Sequence, residues 1–343
     1  MGVPQSARSV ALNAPALEYC GRSVLVTGGA GFIGSAVARE LARAGADVIV
    51  CRGTSSRRRE ARPPQAGVEV LYEDVRSSHF WDDLLDRVDA VFHFAAQTSS
   101  RYANEHPLQD LEVNLLPVAR FVDACGRSDA RPDLVFSGTS TQVGFTDSCP
   151  TDESSRDAPI TVYDINKLAA EHYLRYYARE MGGRAVSLRL TNVYGPGPKS
   201  RHGDRGILNM MIRRALAQEP LVVYGDGEYM RDFIHIDDVV AAFLTAGARL
   251  EKTNGRYYVL GSSEGHTVRQ MIETVQRRVA KATGDSPVEI RHVPPPDGLP
   301  RIDYRHFVAD SRRFRDDTGW EPRLSLVEGV DQTIQRSLSE IDP

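Results

Sequence analysis

Ser23-Val-Leu-Val-Thr27-Gly28-Gly29-Ala30-Gly31-Phe32-Ile33-Gly34 is the stretch that decides the fold. Five residues of strand character run into a cluster of glycines. The glycines open onto a segment in which Ile33, Val37 and Leu41 stand four apart, the apolar stripe of a helix that packs on a sheet. A strand, a tight glycine turn and a helix N-terminus together bring backbone amides up to a pyrophosphate. Gly28, Gly31, Phe32, Ile33 and Gly34 are therefore the first expected dinucleotide contacts.

Outward from this turn, short β-branched runs alternate with longer helical stretches. Strands are predicted at 23–27, 47–51, 68–72, 90–94, 134–137 and 186–190, with helices between them. The fold class is α/β, a Rossmann-type doubly wound parallel sheet. After Tyr194-Gly-Pro-Gly-Pro198 the alternation breaks into smaller pieces: a helix at 207–217, a strand at 221–224 and a helix at 237–248. This reads as a smaller C-terminal α/β substrate cap built from insertions. The expected division is a flexible leader at 1–20, a dinucleotide-binding core at 21–190, and a region 191–343 that is mainly cap, with some segments returning to the core.

A chain of 343 residues with 41% hydrophobic side chains can bury a large core. Its formal charge of -4 exerts no general pull on nucleic acid or an anionic membrane, and no run of eighteen apolar residues occurs. Cys20, Cys51, Cys125 and Cys149 are scattered without metal-ligand spacing, so no metal site is expected and reduced thiols of a cytoplasmic protein fit better.

The second predicted strand ends in Cys51-Arg52-Gly53, where a site selective for NAD usually offers a carboxylate to the ribose. Arg52, backed by Arg57, Arg58 and Arg59, suits the extra phosphate of NADP, and an arginine there can also lie over adenine. NAD or NADP is expected, with Arg52 favouring NADP. Asp74, beside Val75, can accept the adenine amine or cap the next segment. The small Ala95 and Ala96, after a strand ending in His93, let a cofactor backbone lie close, and His93 reads as a packed strand residue.

Tyr163 and Lys167 fall four apart on a helix predicted over 161–181 and project from one face. A phenol with a pKa of about 10 is a poor base at neutral pH, and lowering it to about 7 takes roughly 4 kcal/mol of differential stabilisation. A close ammonium and a nicotinamide's positive charge would supply this together. Upstream, Ser137-Gly-Thr139-Ser-Thr141-Gln-Val143 ends a strand and offers hydroxyls to the same site.

These parts resemble the extended short-chain dehydrogenase/reductases that act on nucleotide sugars, the epimerase and dehydratase family typified by UDP-galactose 4-epimerase. The resemblance runs over about 22–340. It is carried by TGGAGFIG at 27–34, HFAAQ at 93–97, YDINK at 163–167, LRLTNVYGPG at 188–197 and GDGEYMRDFIHIDD at 225–238. It implies that Thr139, Tyr163 and Lys167 are catalytic, with Tyr163 the base and Lys167 also holding the nicotinamide ribose. Gln97, Thr139, Asn192, Arg231 and, in a looser register, Arg301 would bind a nucleotide-diphosphate sugar.

Removal of a sugar hydroxyl proton with hydride transfer from the same carbon gives a keto-sugar, and return of hydride to the other face makes an epimerase. Running only the return half, with exchange of reduced cofactor, makes an NADPH-dependent ketoreductase. Ser140 and Thr141 stand where the 4,6-dehydratases carry an acid pair, so dehydration is not expected, and Thr141 also replaces the glutamate of the decarboxylase relatives. Epimerase ranks ahead of ketoreductase. A non-catalytic dinucleotide sensor ranks last, because such relatives commonly lose the Tyr and Lys pair. The resemblance further implies a homodimer through helices at 108–125 and 161–181, on which Leu115, Val122, Tyr173 and Tyr177 look surplus to one sheet face.

Overall fold

The computed structural model describes residues 14–53, 67–146, 148–198, 206–295 and 300–339. The strands, in chain order, are β1 (Ser23–Thr27), β2 (Asp47–Arg52), β3 (Val68–Tyr72), β4 (Ala90–His93), β5 (Asp133–Thr139), β6 (Ala185–Leu190), β7 (Asn192–Tyr194), β8 (Leu221–Tyr224), β9 (Met230–His235), β10 (Arg256–Leu260), β11 (Gly265–Thr267) and β12 (Ile290–Val293). The helices are α1 (Phe32–Arg43), α2 (Ser100–Glu105), α3 (Pro107–Asn114), α4 (Leu116–Arg127), α5 (Val162–Glu180), α6 (Ile207–Leu216), α7 (Ile236–Ala248), α8 (Leu250–Thr253), α9 (Val268–Thr283), α10 (Arg312–Thr318) and α11 (Leu326–Ser339).

Seven parallel strands form the main sheet in the order β10-β6-β5-β4-β1-β2-β3. Strand order reverses between β1 and β4, and in open α/β sheets the ligand crevice lies at the carboxyl ends of the strands at such a reversal. Every residue of β4 and β6 is buried, as near-continuous apolar runs require when both faces are covered. On one face, Val37 and Leu41 of α1 share a core with Val239 and Phe243 of α7 and with Val26 and Phe92 of the sheet. On the other, Val118 and Phe121 of α4 and Leu174 and Tyr177 of α5 pack on Leu134 and Phe136.

A separate hydrophobic cluster joins α6, α9 and α11 through Met211, Ile212, Ile272, Val275, Val330 and Ile334, beside the small β8 and β12 pair. The segment expected at 237–248 among the cap pieces is α7, and it belongs to the main sheet, as does β10. Their apolar faces are complementary to the sheet, which the broken periodicity around them conceals. The leader expectation is corrected at its end. Ala14–Tyr19 forms a 3-10 helix in which Ala16 and Tyr19 are buried, and the Tyr19 hydroxyl donates to the Leu244 carbonyl at 3.2 Å. A buried aromatic with a satisfied hydroxyl anchors that segment to α7. The earlier leader residues lie outside the described ones. Among the described residues no helix is long and apolar enough to cross a membrane.

Candidate active site

One wall of the crevice is made of backbone. Gly28 has φ +65°, and a Cβ there would stand 2.7 Å from the Ala95 nitrogen and the Phe94 carbonyl carbon. A Cβ on Gly34 would meet the Gly28 oxygen at 2.5 Å. Only glycine allows so close an approach of turn, helix and neighbouring strand. Gly31 is the N-cap of α1, makes no side-chain cap, and donates its own N–H to Gly28 O at 2.8 Å. The first-turn amides of α1, from Phe32 and Ile33 onward, thus face the crevice uncapped, a fit for a pyrophosphate. This cradle, which one methyl group would fill, is consistent with a bound dinucleotide.

Thr27 fastens this wall to β4. Its hydroxyl oxygen accepts from Phe94 N and Ala95 N, both at 3.2 Å, so its single proton goes to His93 Nδ1 at 2.9 Å. His93 is buried, and burial together with the charge of Lys167 holds it down at about 3. It is neutral at working pH and acts as the expected packed strand residue. Ala95 and Ala96 follow it, half-buried, along the edge of the crevice.

Arg52 ends β2, half-buried and opposite Tyr72, while the neighbouring Cys51 carbonyl accepts from Gly29 N at 3.1 Å. Arg52 therefore stands beside the glycine turn, as expected. Arg57, Arg58 and Arg59 lie outside the described residues. The Asp74 carboxylate accepts from the Arg76 backbone N–H at 2.9 Å and pairs with its guanidinium at 2.6 Å, which holds it below the usual carboxylate range. Of its two expected roles, the local turn-closing one is the one seen. Val75 is buried in the core beneath it.

The other wall is made of side chains. Thr161 and Asp164 form a reciprocal capping box that starts α5, and Tyr163 and Lys167 follow on its buried face. Lys167 Nζ sits 4.1 Å from the centroid of the Phe136 ring. Burial lowers its pKa to about 7, against the opposing pull of Asp110 and Glu171. Asp110 is a buried hub: its carboxylate accepts from Gln97 at 2.6 Å and from Asn114 and Asn166, each at 2.8 Å. All three donors point at one negative group beside the ammonium.

Gln97 is consequently corrected. Its amide nitrogen donates to Ser99 O and Asp110, its amide oxygen accepts from Ser99 N, and the side chain braces the lysine's counter-charge instead of standing open to a sugar.

Thr139 ends β5 and caps a short 3-10 turn. Its Oγ1 is 2.8 Å from Thr141 Oγ1, and Thr141 donates to the buried Asp164 carboxylate. Its backbone N–H donates to Gln142, whose amide donates to Glu171, itself paired with the buried Arg189. Arg305, which the sequence reading missed, crosses from the C-terminal region to clamp this turn. It donates to Ser140 O and Gly144 O, each at 3.0 Å, and to Ser140 Oγ at 2.9 Å. Burial lowers its pKa to about 9, and nearby Arg231 adds to the effect. No spacing signal distinguishes it from the other arginines of 301–315.

Val143 packs inward against Val259, Phe307 and Ala309. Asn192 opens β7, exposed, with its amide donating to Asp232 O at 3.0 Å. Arg231 on β9 is half-buried and donates to the carbonyls of Met230, Asp303 and Arg305. Arg301 is exposed, its guanidinium 5.7 Å from the centroid of the Phe145 ring. The structure thus brings Arg231 to the 301–305 segment, with Arg305 rather than Arg301 facing the Thr139 turn.

The helix expected over 108–125 is two, α3 and α4, with Leu115 between them and Pro117 in the first turn of α4. Val122 and Tyr177 are corrected to core residues, the latter donating to Pro132 O at 2.8 Å. Leu108 (74% exposed), Ile165, Tyr173 and Tyr176 (53% exposed) remain at the surface of α3 and α5.

Comparison with known proteins agrees with this geometry. A model of the NAD dependent epimerase/dehydratase family matches residues 24–261. The UDP-glucose 4-epimerase of Azospirillum brasilense is 30% identical over 335 residues, spanning 92% of this chain and 93% of that protein. Among solved structures, the UDP-glucose 4-epimerase of Thermotoga maritima with UDP-glucose superposes with a TM-score of 0.82 at 30% identity, covering 93% of this chain and 100% of that one. The Thermus thermophilus UDP-glucose 4-epimerase in complex with NAD gives 0.77 at 31% identity, covering 91% and 98%. The chain belongs to the NAD dependent epimerase/dehydratase family.

Proposed function

We propose that this member of the NAD dependent epimerase/dehydratase family is a 4-epimerase of a UDP-hexose, acting through a transient keto-sugar. The observation that carries the reading is that Tyr163 and Lys167 lie on the buried face of α5, whose first turn is tied to Thr139 through Thr141 and Asp164, with Thr139, Tyr163 and Lys167 all buried to nine-tenths or more. Bound in the glycine cradle, NAD would accept hydride from the sugar carbon and return it to the opposite face.

Tyr163 takes and returns the proton of the reacting hydroxyl. Lys167 makes this affordable: an ammonium about 4–6 Å from a phenol favours the phenolate, and the phenolate in turn draws Lys167 back toward its protonated form. Thr139 holds the same sugar oxygen, while Asn192, Arg231 and Arg301 are the candidates to meet the diphosphate. Arg231 would exchange carbonyl partners for phosphate oxygens, which are stronger acceptors for a guanidinium. A cytoplasmic location fits this substrate class. The apolar residues exposed on α3 and α5 support a homodimer, for which a monomeric mass at micromolar concentration would be contrary evidence.

A second reading, NADPH-dependent ketoreductase, is favoured by one observation, Arg52 at the rim of the cradle with no carboxylate beside it in the Cys51-Arg52-Gly53 stretch. Denaturing the purified protein and identifying the released cofactor separates the two. Co-purified NAD, with interconversion of UDP-glucose and UDP-galactose and no added cofactor, is expected. A site that releases nothing and takes NADPH far more tightly than NADH would overturn the epimerase.

A further inference from the structure

Behind Thr139 lies an unbroken line of hydroxyls that ends on a buried carboxylate. Asp164 is fully buried in the first turn of α5, immediately after Tyr163. Its Oδ2 accepts from Thr161 Oγ1 at 2.6 Å, and its Oδ1 accepts from Thr141 Oγ1. Thr141 has one proton, and an ionised carboxylate can only accept. The 2.8 Å contact between Thr141 and Thr139 must then be a donation from Thr139 to Thr141. One lone pair of Thr139 is taken by Thr141 N at 3.3 Å. Toward the crevice, Thr139 is left as an acceptor, matched to a sugar hydroxyl and mismatched to a ketone.

We infer that Thr139, Thr141 and Asp164 form a proton relay, a second route by which the reacting sugar hydroxyl loses its proton. The inference rests on the reading that Thr139 touches that hydroxyl. In the step, the sugar O–H breaks and its proton bonds to Thr139 Oγ1. The proton that Thr139 held passes to Thr141, and that of Thr141 passes to Asp164 Oδ1, which becomes a neutral acid. A nicotinamide cofactor held at the glycine turn would take up the hydride from the same sugar carbon, which balances the oxidation. The relay thereby reverses its own polarity: Thr139 becomes a donor, and faces a keto oxygen that can only accept. Return of hydride runs the relay backwards.

A further feature agrees. Burial pushes the Asp164 carboxyl above the usual carboxylate range, against the Thr141 and Thr161 hydroxyls and the charge of Arg305, which favours a group able to hold a proton transiently.

The test is infrared difference spectroscopy of the holoenzyme as UDP-glucose reduces the bound cofactor, alongside turnover in a Tyr163→Phe background. A protonated-carboxyl band should appear with reduction and vanish in Asp164→Asn, whose amide oxygen can still accept from Thr161 and keep the helix cap. Thr141→Val should remove the band and lower the residual turnover of Tyr163→Phe by about tenfold or more, with Thr141→Ser restoring both. An unchanged band in Asp164→Asn, or residual turnover indifferent to Thr141→Val, overturns the relay while leaving the epimerase standing. A wild-type protein whose cofactor is reduced by no nucleotide sugar overturns both.

Discussion

The two walls of the crevice are built of different material. The cofactor wall is local and made of main chain: seven consecutive residues, Gly28 to Gly34, supply the turn, the helix start and the uncapped amides. The chemical wall is made of side chains gathered from far apart. Asp110 reaches Asn166 across 56 positions, and Arg305 reaches Ser140 across 165. Backbone can present a binding surface through conformation alone. Acid-base chemistry needs charged groups held against burial, and each such group requires partners that the neighbouring sequence cannot provide.

If the walls are separable, damage to one should spare the other. The largest effect is expected from Tyr163→Phe, which should lower kcat by about a thousandfold while the amount of co-purified cofactor is unchanged. Cofactor lost together with turnover would erase the distinction. Gly28→Ala should act in the opposite sense. A methyl group at φ +65°, 2.7 Å from main chain, should cost about 2–3 kcal/mol in urea unfolding and empty the cradle of dinucleotide. Full occupancy in that variant would show that the turn is not the anchor.

The smallest effect concerns Lys167. Its folded pKa, near 7, lies below the 10.5 of an ordinary lysine, so the unfolded chain binds more protons between those values. Stability linked to this group is lost as pH falls toward 7 and recovered as pH rises. Relative to Lys167→Met, the wild type should gain about 1.5 kcal/mol between about pH 7 and 8.5, measured as the difference in urea unfolding free energy. A parallel pH dependence in the two proteins would mean that the lysine is solvated in the fold, and that the chemical wall does not hold its charge against burial.

How much of this was legible beforehand follows the same division. β1, β3 and β8 coincide with their predicted limits, because short β-branched runs bounded by glycine or polar turns carry a clear local signal. Gly28, Gly31 and Gly34 were legible from their spacing after a strand: Gly28 takes a positive φ, and a Cβ on Gly34 would meet the Gly28 oxygen at 2.5 Å. Tyr163 and Lys167 were legible because helical spacing puts them on one face. The resemblance makes Gln97 a sugar contact, whereas its side chain is engaged by Ser99 and by Asp110 at 2.6 Å, a proximity that the sequence does not show. Tyr177 looks surplus to one sheet face and is core, since apolar residues on a helix reveal burial but not against what.

From the chain alone came the parallel sheet, the dinucleotide turn and the tyrosine-lysine pair, because each depends on torsions and periodicities that act over a few residues. Tertiary packing decided the rest: that α7 and β10 rejoin the main sheet, that Asp110 and Glu171 balance a lysine stripped of water, and that Asp164 and Arg305 converge on the Thr139 turn. Desolvated charges and hydroxyl directions depend on every neighbour in space, and that neighbourhood comes into being only when distant segments meet.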